Sequence, residues 1–316
     1  MISLLLRRTV SLFVTLLVVS ALIFLVMGLL PGDPASIMLG TSASPDTLAA
    51  LRSELGLDQS LPVRYLSWLG SALQGDLGRS YTYSVPVAGL IADRLAVTLP
   101  LALMAILMSV AIAVPLGVQA ARHHNRPIDV AISLFSYVGI AVPAFWIGLL
   151  LILTFATTLG WLPASGFPGW GAGLGAALKT LALPAVALAI PQAAVLTRVT
   201  RSAVLENINE DFVRTARAKG LGETTAIWRH ALPAALVPVL TMLGLQFTFL
   251  VAGAVLVENV FNLPGLGRLA FQSLSQRDII VMQNVVLFFA AIVIIMNFIV
   301  DLAYLVVDPR LRAAEQ

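Results

Sequence analysis

Few residues in this chain are typed and spaced for chemistry. The nearest approach to a phosphate loop runs from Gly173 to Lys179-Thr180. Such a loop needs two glycines flanking four residues, then Lys and Ser or Thr, because bare backbone must wrap the phosphate. Leu178 stands in the second glycine position, and its side chain would crowd that backbone. The run Gly169-Trp170-Gly171-Ala172-Gly173-Leu174-Gly175 lacks the preceding strand that a dinucleotide site requires, and reads as an outer loop. His123 and His124 are adjacent, so they do not converge on one ion. With Asn125 and Pro127 they read as a turn. The chain has no cysteine, which removes disulfides, thiol catalysis and Cys-based zinc. It shows no Gly-x-Ser-x-Gly, no His-Glu-x-x-His and no paired intramembrane aspartates. The expectation is no catalytic residue, no metal and no enzyme.

The residue pattern fits mechanical work better. Asn209-Glu210-Asp211-Phe212-Val213-Arg214-Thr215-Ala216-Arg217-Ala218-Lys219-Gly220 reads as a short helix. Asn209 can cap the free N–H groups. Glu210 and Asp211 sit at the positive end of the dipole, Arg217 and Lys219 at the negative end. Gly220 can adopt the left-handed conformation that stops a helix. Leu205, Ile208, Phe212 and Ala216 fall near one face, with Arg214 and Arg217 flanking it. Two uses suit such an object: docking into a groove on another protein, or resting on lipid headgroups.

A second set follows later. Glu258, Asn259 and Asn262 open a loop that continues through Pro264-Gly265-Leu266-Gly267. It reads either as an outer gate or face for a binding protein, or as a re-entrant turn. Asp301 is the one carboxylate deep enough to raise an ion-path question. It reads as an anchor that reaches the inner interface or pairs with an inner-loop arginine.

The elements that must position these residues are membrane spans. Hydrophobic residues make up 59% of the 316 and charged residues 11%, where a soluble domain carries about a quarter charged. A span needs roughly 20 apolar residues. Six stretches qualify: 9–30, 98–121, 130–155, 180–197, 233–257 and 282–307. Pro184 and Pro191 interrupt the fourth. The first follows Arg7-Arg8 but reads as an uncleaved anchor rather than a signal peptide.

Lys and Arg in the loops set orientation. With the N-terminus inside, that side receives Arg7, Arg8, Arg122, Arg126, Arg198, Arg201, Arg214, Arg217, Lys219, Arg229, Arg310 and Arg312. The other side receives Arg52, Arg64, Arg79, Arg94, Lys179, Arg268 and Arg277. These are all 19 basic residues, split twelve to seven. Both termini are expected in the cytoplasm. The net charge of +3 is too small and scattered for nucleic acid.

The expected organisation is an anchor helix at 1–30, an extracytoplasmic helical subdomain at 31–97, a core at 98–307 with an inner loop at 198–232, and a tail at 308–316. In the outer segment, Ser44-Pro45-Asp46 reads as cap, first-turn proline and acidic first turn. Leu48, Leu51 and Leu55 recur at helical spacing before Gly56. Val63, Leu66, Leu69 and Leu73 share one side of a second short helix that ends near Gly75. Both short helices should pack on the mouth of the bundle.

Arg214-Thr215-Ala216-Arg217-Ala218-Lys219-Gly220, with Leu232-Pro233 in register, resembles the cytoplasmic EAA loop of importer permeases of the ATP-binding-cassette type. Arg214 and Thr215 replace the usual Glu and first Ala, and His230 replaces an Ile. These are the forms of the dipeptide, oligopeptide and nickel branch. Leu30-Pro31-Gly32-Asp33-Pro34-Ala35, Gly75-Asp76-Leu77-Gly78-Arg79-Ser80, Thr98-Leu99, Val257-Glu258-Asn259-Val260-Phe261-Asn262-Leu263-Pro264-Gly265-Leu266-Gly267 and Arg277-Asp278 resemble the same branch, in order along nearly the whole chain. Ile280 departs from it, where the branch often has proline.

The resemblance implies an all-α membrane protein with six spans. It implies a second related permease, two ATPase subunits that hold the ATP and Mg2+, and an extracytoplasmic substrate-binding protein. The helix at 209–220 would be the coupling helix that docks on the ATPase. Cargo would be dipeptides or oligopeptides, with nickel chelates as the alternative. A self-sufficient secondary transporter or channel is disfavoured, because buried ionisable pairs are not evident in the spans.

Overall fold

In hydrocarbon, every backbone N–H and C=O must find its partner within the protein, which leaves helices as the open solution for apolar runs of this length. The computed structural model describes residues 2–29, 34–39, 44–54 and 56–307. Among them every regular element is helical, with one isolated bridge between Arg79 and Pro86. In chain order these are α1 (Ile2–Leu29), α2 (Pro34–Leu39), α3 (Pro45–Glu54), α4 (Leu61–Leu73), α5 (Val87–Arg122), α6 (Pro127–Ala141), α7 (Ala144–Leu151), α8 (Leu174–Ile208), α9 (Asp211–Ala218), α10 (Glu223–Ala226), α11 (Leu232–Val260), α12 (Leu266–Gln276) and α13 (Ile279–Val307). Residues 1, 30–33, 40–43, 55 and 308–316, which include the expected Leu30–Asp33 motif, Leu55 and the tail, lie outside the described residues.

Among the described residues, five helical stretches are long and apolar enough to cross a membrane, and a sixth is broken. The third expected span, 130–155, is not one helix. It bends by 101° between Pro127–Ala141 and Ala144–Thr158. Val142 takes φ −93° and ψ 122°, and Pro143 opens α7. The proline ring excludes the α region for the residue before it, so the chain turns there. α7 then loosens into a π-helical turn over Ile152–Thr158.

The fourth span, flagged for its prolines, is instead one continuous helix of 35 residues with Pro184 and Pro191 inside it. It is also the most enclosed of the long helices, and packing on its neighbours compensates for two lost N–H donors. Small residues permit that enclosure. A Cβ on Gly117 would lie 2.6 Å from Thr200 Cβ, and one on Gly139 would lie 2.8 Å from Ala194 Cβ.

The chain divides into two compact units. One holds residues up to Thr9, Leu99–Leu263 and those from Ile295 onward. Within it, α8 is the hub, with α6, α7 and α11 packed on it.

The other unit holds Val10–Thr98 and Pro264–Ile294, so the 31–97 segment shares a core with most of α1 and with α12. The cap at Ser44 forms as expected, its Oγ accepting the Thr47 N–H at 3.3 Å. Asp278 is this unit's polar centre and is fully buried. Its carboxylate accepts from Ser80 Oγ at 2.5 Å, from Thr82 N at 3.1 Å and from Val281 N at 3.2 Å. It therefore caps α13 and fixes the 76–82 loop. Gly78 (φ +80°) turns that loop, with its N–H on Asp76 Oδ1 at 2.9 Å. Thr98 Oγ1 accepts from Leu266 N at 2.8 Å and so caps α12.

Asp278→Ala should lower the stability of this unit by about 2–3 kcal/mol, the loss of one helix cap plus two orphaned donors. Detergent unfolding monitored by circular dichroism would measure it. Asp278→Asn should lose less, because an amide oxygen can still accept.

Candidate functional site

α9 is a short helix whose two ends are set by different devices. The sequence places Asn209 as its N-cap. In the structure Asn209 instead closes α8, at φ −99° and ψ 0°. Glu210 is the capping residue, in extended conformation and with no side-chain cap bond. Its carbonyl accepts from Val213 N and Arg214 N, both at 3.0 Å. The reason is continuity: α8 runs on to Ile208, so Asn209 is spent ending it. Two residues separate the helices, which leaves little slack.

The C-terminal end follows expectation. Gly220 has φ +91°. Gly220 N donates to Arg217 O at 3.0 Å, and Leu221 N donates to Ala216 O at 3.3 Å. This pair of reversed bonds satisfies carbonyls that a helix end leaves bare.

The buried face of α9 is Val213 and Ala216. Val213 joins a cluster with Val118 and Ala121 of α5, Ala203 and Val204 of α8, Ile227 of the π-helical turn before α11, and Leu232 at the start of α11. Leu205 and Ile208 pack against it as expected. Phe212 does not belong to this face. It is 45% exposed, because the buried direction falls one residue later, at Val213. Arg214, Thr215, Arg217, Ala218 and Lys219 are exposed as well. Asp211 and Arg214 approach to 3.6 Å, a solvated pair of small energetic weight. α9 is thus clamped on one side to three long helices and presents an aromatic and cationic surface on the other.

Asp129 and Arg201 form an ion pair that spacing does not reveal; by sequence only Asp301 stood out as a deep charge. Asp129 of α6 is 3% exposed. Arg201 of α8 meets it with two prongs, Nε to Oδ1 at 2.6 Å and Nη2 to Oδ2 at 2.7 Å. Asn125 N donates to the same carboxylate at 3.0 Å, and Arg201 Nη2 also reaches His124 Nδ1 at 3.1 Å. The His123-His124 turn is therefore part of a charge clamp. One turn earlier on α8, Arg198 lies 4.9 Å over the Tyr137 ring. The signal in the sequence was Asp129, two residues after Pro127, where a helix first turn favours an acid. Its partner lies 72 residues away, and spacing does not reveal it.

Asp301 pairs with Arg8 of α1 at 2.7 Å, not with an inner-loop arginine. Arg198, Ser202 and Glu206 recur every four residues along α8 and line an open cavity of about 400 Å³ with Pro238 and Met242.

The second predicted set is divided. Glu258, Asn259 and Asn262 belong to the first unit, Pro264 and Gly265 to the second. Glu258 is fully buried, whereas Asn262 is exposed. Asn262 takes φ +52°, and Leu263 N returns to Glu258 O at 2.8 Å. The Asn259 side chain donates to Val255 O at 2.7 Å. These residues build the stop of α11, with asparagine serving where α9 uses glycine.

The fold and the α9 cradle define a multi-pass helical membrane component. The family profile described as binding-protein-dependent transport system inner membrane component matches residues 113–313, and its N-terminal companion matches residues 1–102. The chain belongs to this family. It is the permease of an ATP-binding-cassette transporter, a membrane subunit and not an enzyme. A Brucella abortus protein, provisionally named a peptide transport system permease, is 42% identical over 99% of both chains. The glutathione transport system permease GsiC of Salmonella typhi is 40% identical over 99% of both. The inward-facing MetNI methionine transporter shares the fold at TM-score 0.55 and 20% identity, over 69% of this chain and 96% of that one.

Proposed function

We propose that this chain is one of two related membrane halves of an importer for short peptides, with α9 as the element that receives force from a separate ATPase. The carrying observation is the α9 cradle. Its buried Val213 sits in an apolar cluster with residues of α5, α8 and α11, while Phe212, Arg214, Arg217 and Lys219 are offered outward. A helix stopped rigidly at both ends can shift three spans as one body. ATP and Mg2+ reside on the ATPase subunits. Both termini lie in the cytoplasm, consistent with the basic bias of the inner loops.

The polar stripe Arg198, Ser202 and Glu206 on α8 suits a water-filled path shared with the second permease. Peptide cargo is favoured by the names of the relatives, one a peptide permease and another a glutathione permease. An extracytoplasmic binding protein delivers it. Cargo biases the cycle only by binding one state better than the other.

Ala218→Cys should cross-link to a cysteine placed in the co-expressed ATPase. Gly220→Pro cannot adopt φ +91°. It should cut uptake at least about tenfold while the chain still inserts. Uptake and ATP turnover both unchanged in Gly220→Pro would remove α9 from the coupling role. Flux through the purified chain alone, driven by an ion gradient, would replace the whole reading with a secondary transporter.

A further inference from the structure

α4 is apolar on two opposite faces. In Leu61–Leu73 the only charged residue is Arg64. One face carries Tyr65 and Trp68. Tyr65 stacks edge-on with Phe24 of α1 at 5.5 Å, and Trp68 lies 5.7 Å from the same ring. The Tyr65 hydroxyl meets Ser20 Oγ at 2.8 Å and Leu17 O at 3.3 Å. The opposite face carries Val63, Leu66 and Leu73, and it is bare: Leu66 is 65% exposed and Leu73 is 82% exposed. The sequence pattern assigns that leucine face to the bundle. The aromatic face takes its place because it adds a hydroxyl with two partners to its packing area.

The contacts on α1 fix a depth. The membrane-length apolar stretch of α1 runs Leu6–Leu29. Leu17 lies about 18 Å along the helix from Leu29, near the middle of a span, and Phe24 about 7 Å from that end. A hydrocarbon core is about 30 Å thick. A tyrosine side chain is far shorter than the distance from Leu17 to the end of α1. α4 therefore lies beside membrane-embedded helix, not above it in water. Leu22, Val26 and Leu29, on the side of α1 away from α4, are exposed as well, as on a lipid-facing span. A helix apolar all round is covered on all sides. Among the described residues, protein covers one side of α4 only.

We infer that α4 is a membrane-inserted interfacial helix whose Val63, Leu66 and Leu73 face is covered by lipid acyl chains of the leaflet in which α1 ends. Arg64, flanking the aromatic face, reaches for headgroups, as long cationic side chains do. Tyr65 and Trp68 supply the aromatic belt common at that depth. The 61–73 segment is then a lateral brace of the bundle within the bilayer. Its position does not depend on ATP coupling, so this inference and the transport reading fail separately.

The chain has no cysteine, so single replacements report position directly. Leu66→Cys, Leu73→Cys and the loop control Gln59→Cys are made in the assembled complex in lipid nanodiscs, with the wild-type chain as background. Each is labelled with bimane and titrated with phosphatidylcholine carrying a nitroxide on its acyl chain. Unlabelled samples are timed against a membrane-impermeant maleimide. Lipid-nitroxide quenching at positions 66 and 73 should exceed that at 59 by at least about threefold, with maleimide reaction slower by about tenfold. Fast maleimide reaction at 66 and 73 would place the face in water and overturn the inference. Slow reaction without lipid quenching would place another protein subunit on it and overturn it equally.

Discussion

Replacing Arg201 by alanine should destabilise the permease by about 3 kcal/mol, the cost of leaving a buried carboxylate without its partner. Asp129 keeps only the Asn125 N–H as a near-ideal donor, since Ser133 Oγ stands at 3.5 Å. The pair ties α6 to α8 at the end from which α9 hangs, so loss of the tie should also reduce uptake. Unfolding in mixed detergent micelles measures the first effect, and transport in vesicles the second. The design of the test lies in the second variant. Asp129→Leu combined with Arg201→Met removes both charges and keeps apolar volume. If the pair contributes mainly by avoiding an orphaned charge, the double variant should recover most of the stability lost in Arg201→Ala. If the clamp also sets helix geometry for coupling, stability should return while uptake stays low. A single variant as stable as wild type would show that the pair carries no energetic weight.

Val213→Asp should have the other large effect. Val213 is fully buried among Val118, Val204 and Ile227. A carboxylate there has no partner in an apolar cluster, and such burial costs several kcal/mol. The expected outcome is release of α9 from its cradle rather than loss of the membrane core. Limited proteolysis should then cut near 209–222, where the wild type resists. Uptake should fall to background, and ATP turnover should no longer respond to delivered cargo. Phe212→Ala is the paired control. Phe212 is outward and should leave protease resistance intact. In the proposed role it weakens ATPase association instead. Together the two variants separate holding α9 from docking on it.

The fold was legible because lipid allows few solutions. Apolar runs of span length, spaced by basic loops, become helices for want of any other way to satisfy the backbone. The α9 segment was legible for a local reason. Acid first, base last and glycine after are instructions that act within one turn. The Gly220 stop formed as expected, and the Ser44 cap did likewise. Local rules misplaced what depends on neighbours. Asn209 is a good cap by type, yet it ends α8, because packing carries that helix farther than hydropathy shows. Phe212 fits a helical stripe by spacing, but the direction of burial is set by α5, α8 and α11 and selects Val213.

By itself the sequence determined an all-helical membrane protein with a glycine-stopped cationic helix between two spans, since composition, periodicity and end signals act through solvent and through the nearest turn. Tertiary structure alone decided where the third span breaks its direction, that Asp129 and Arg201 meet, that Asp278 holds a loop and a helix start together, and which face of α4 touches protein. Those outcomes depend on groups far apart in the chain. Spacing within a segment carries no information about a partner that only folding brings near.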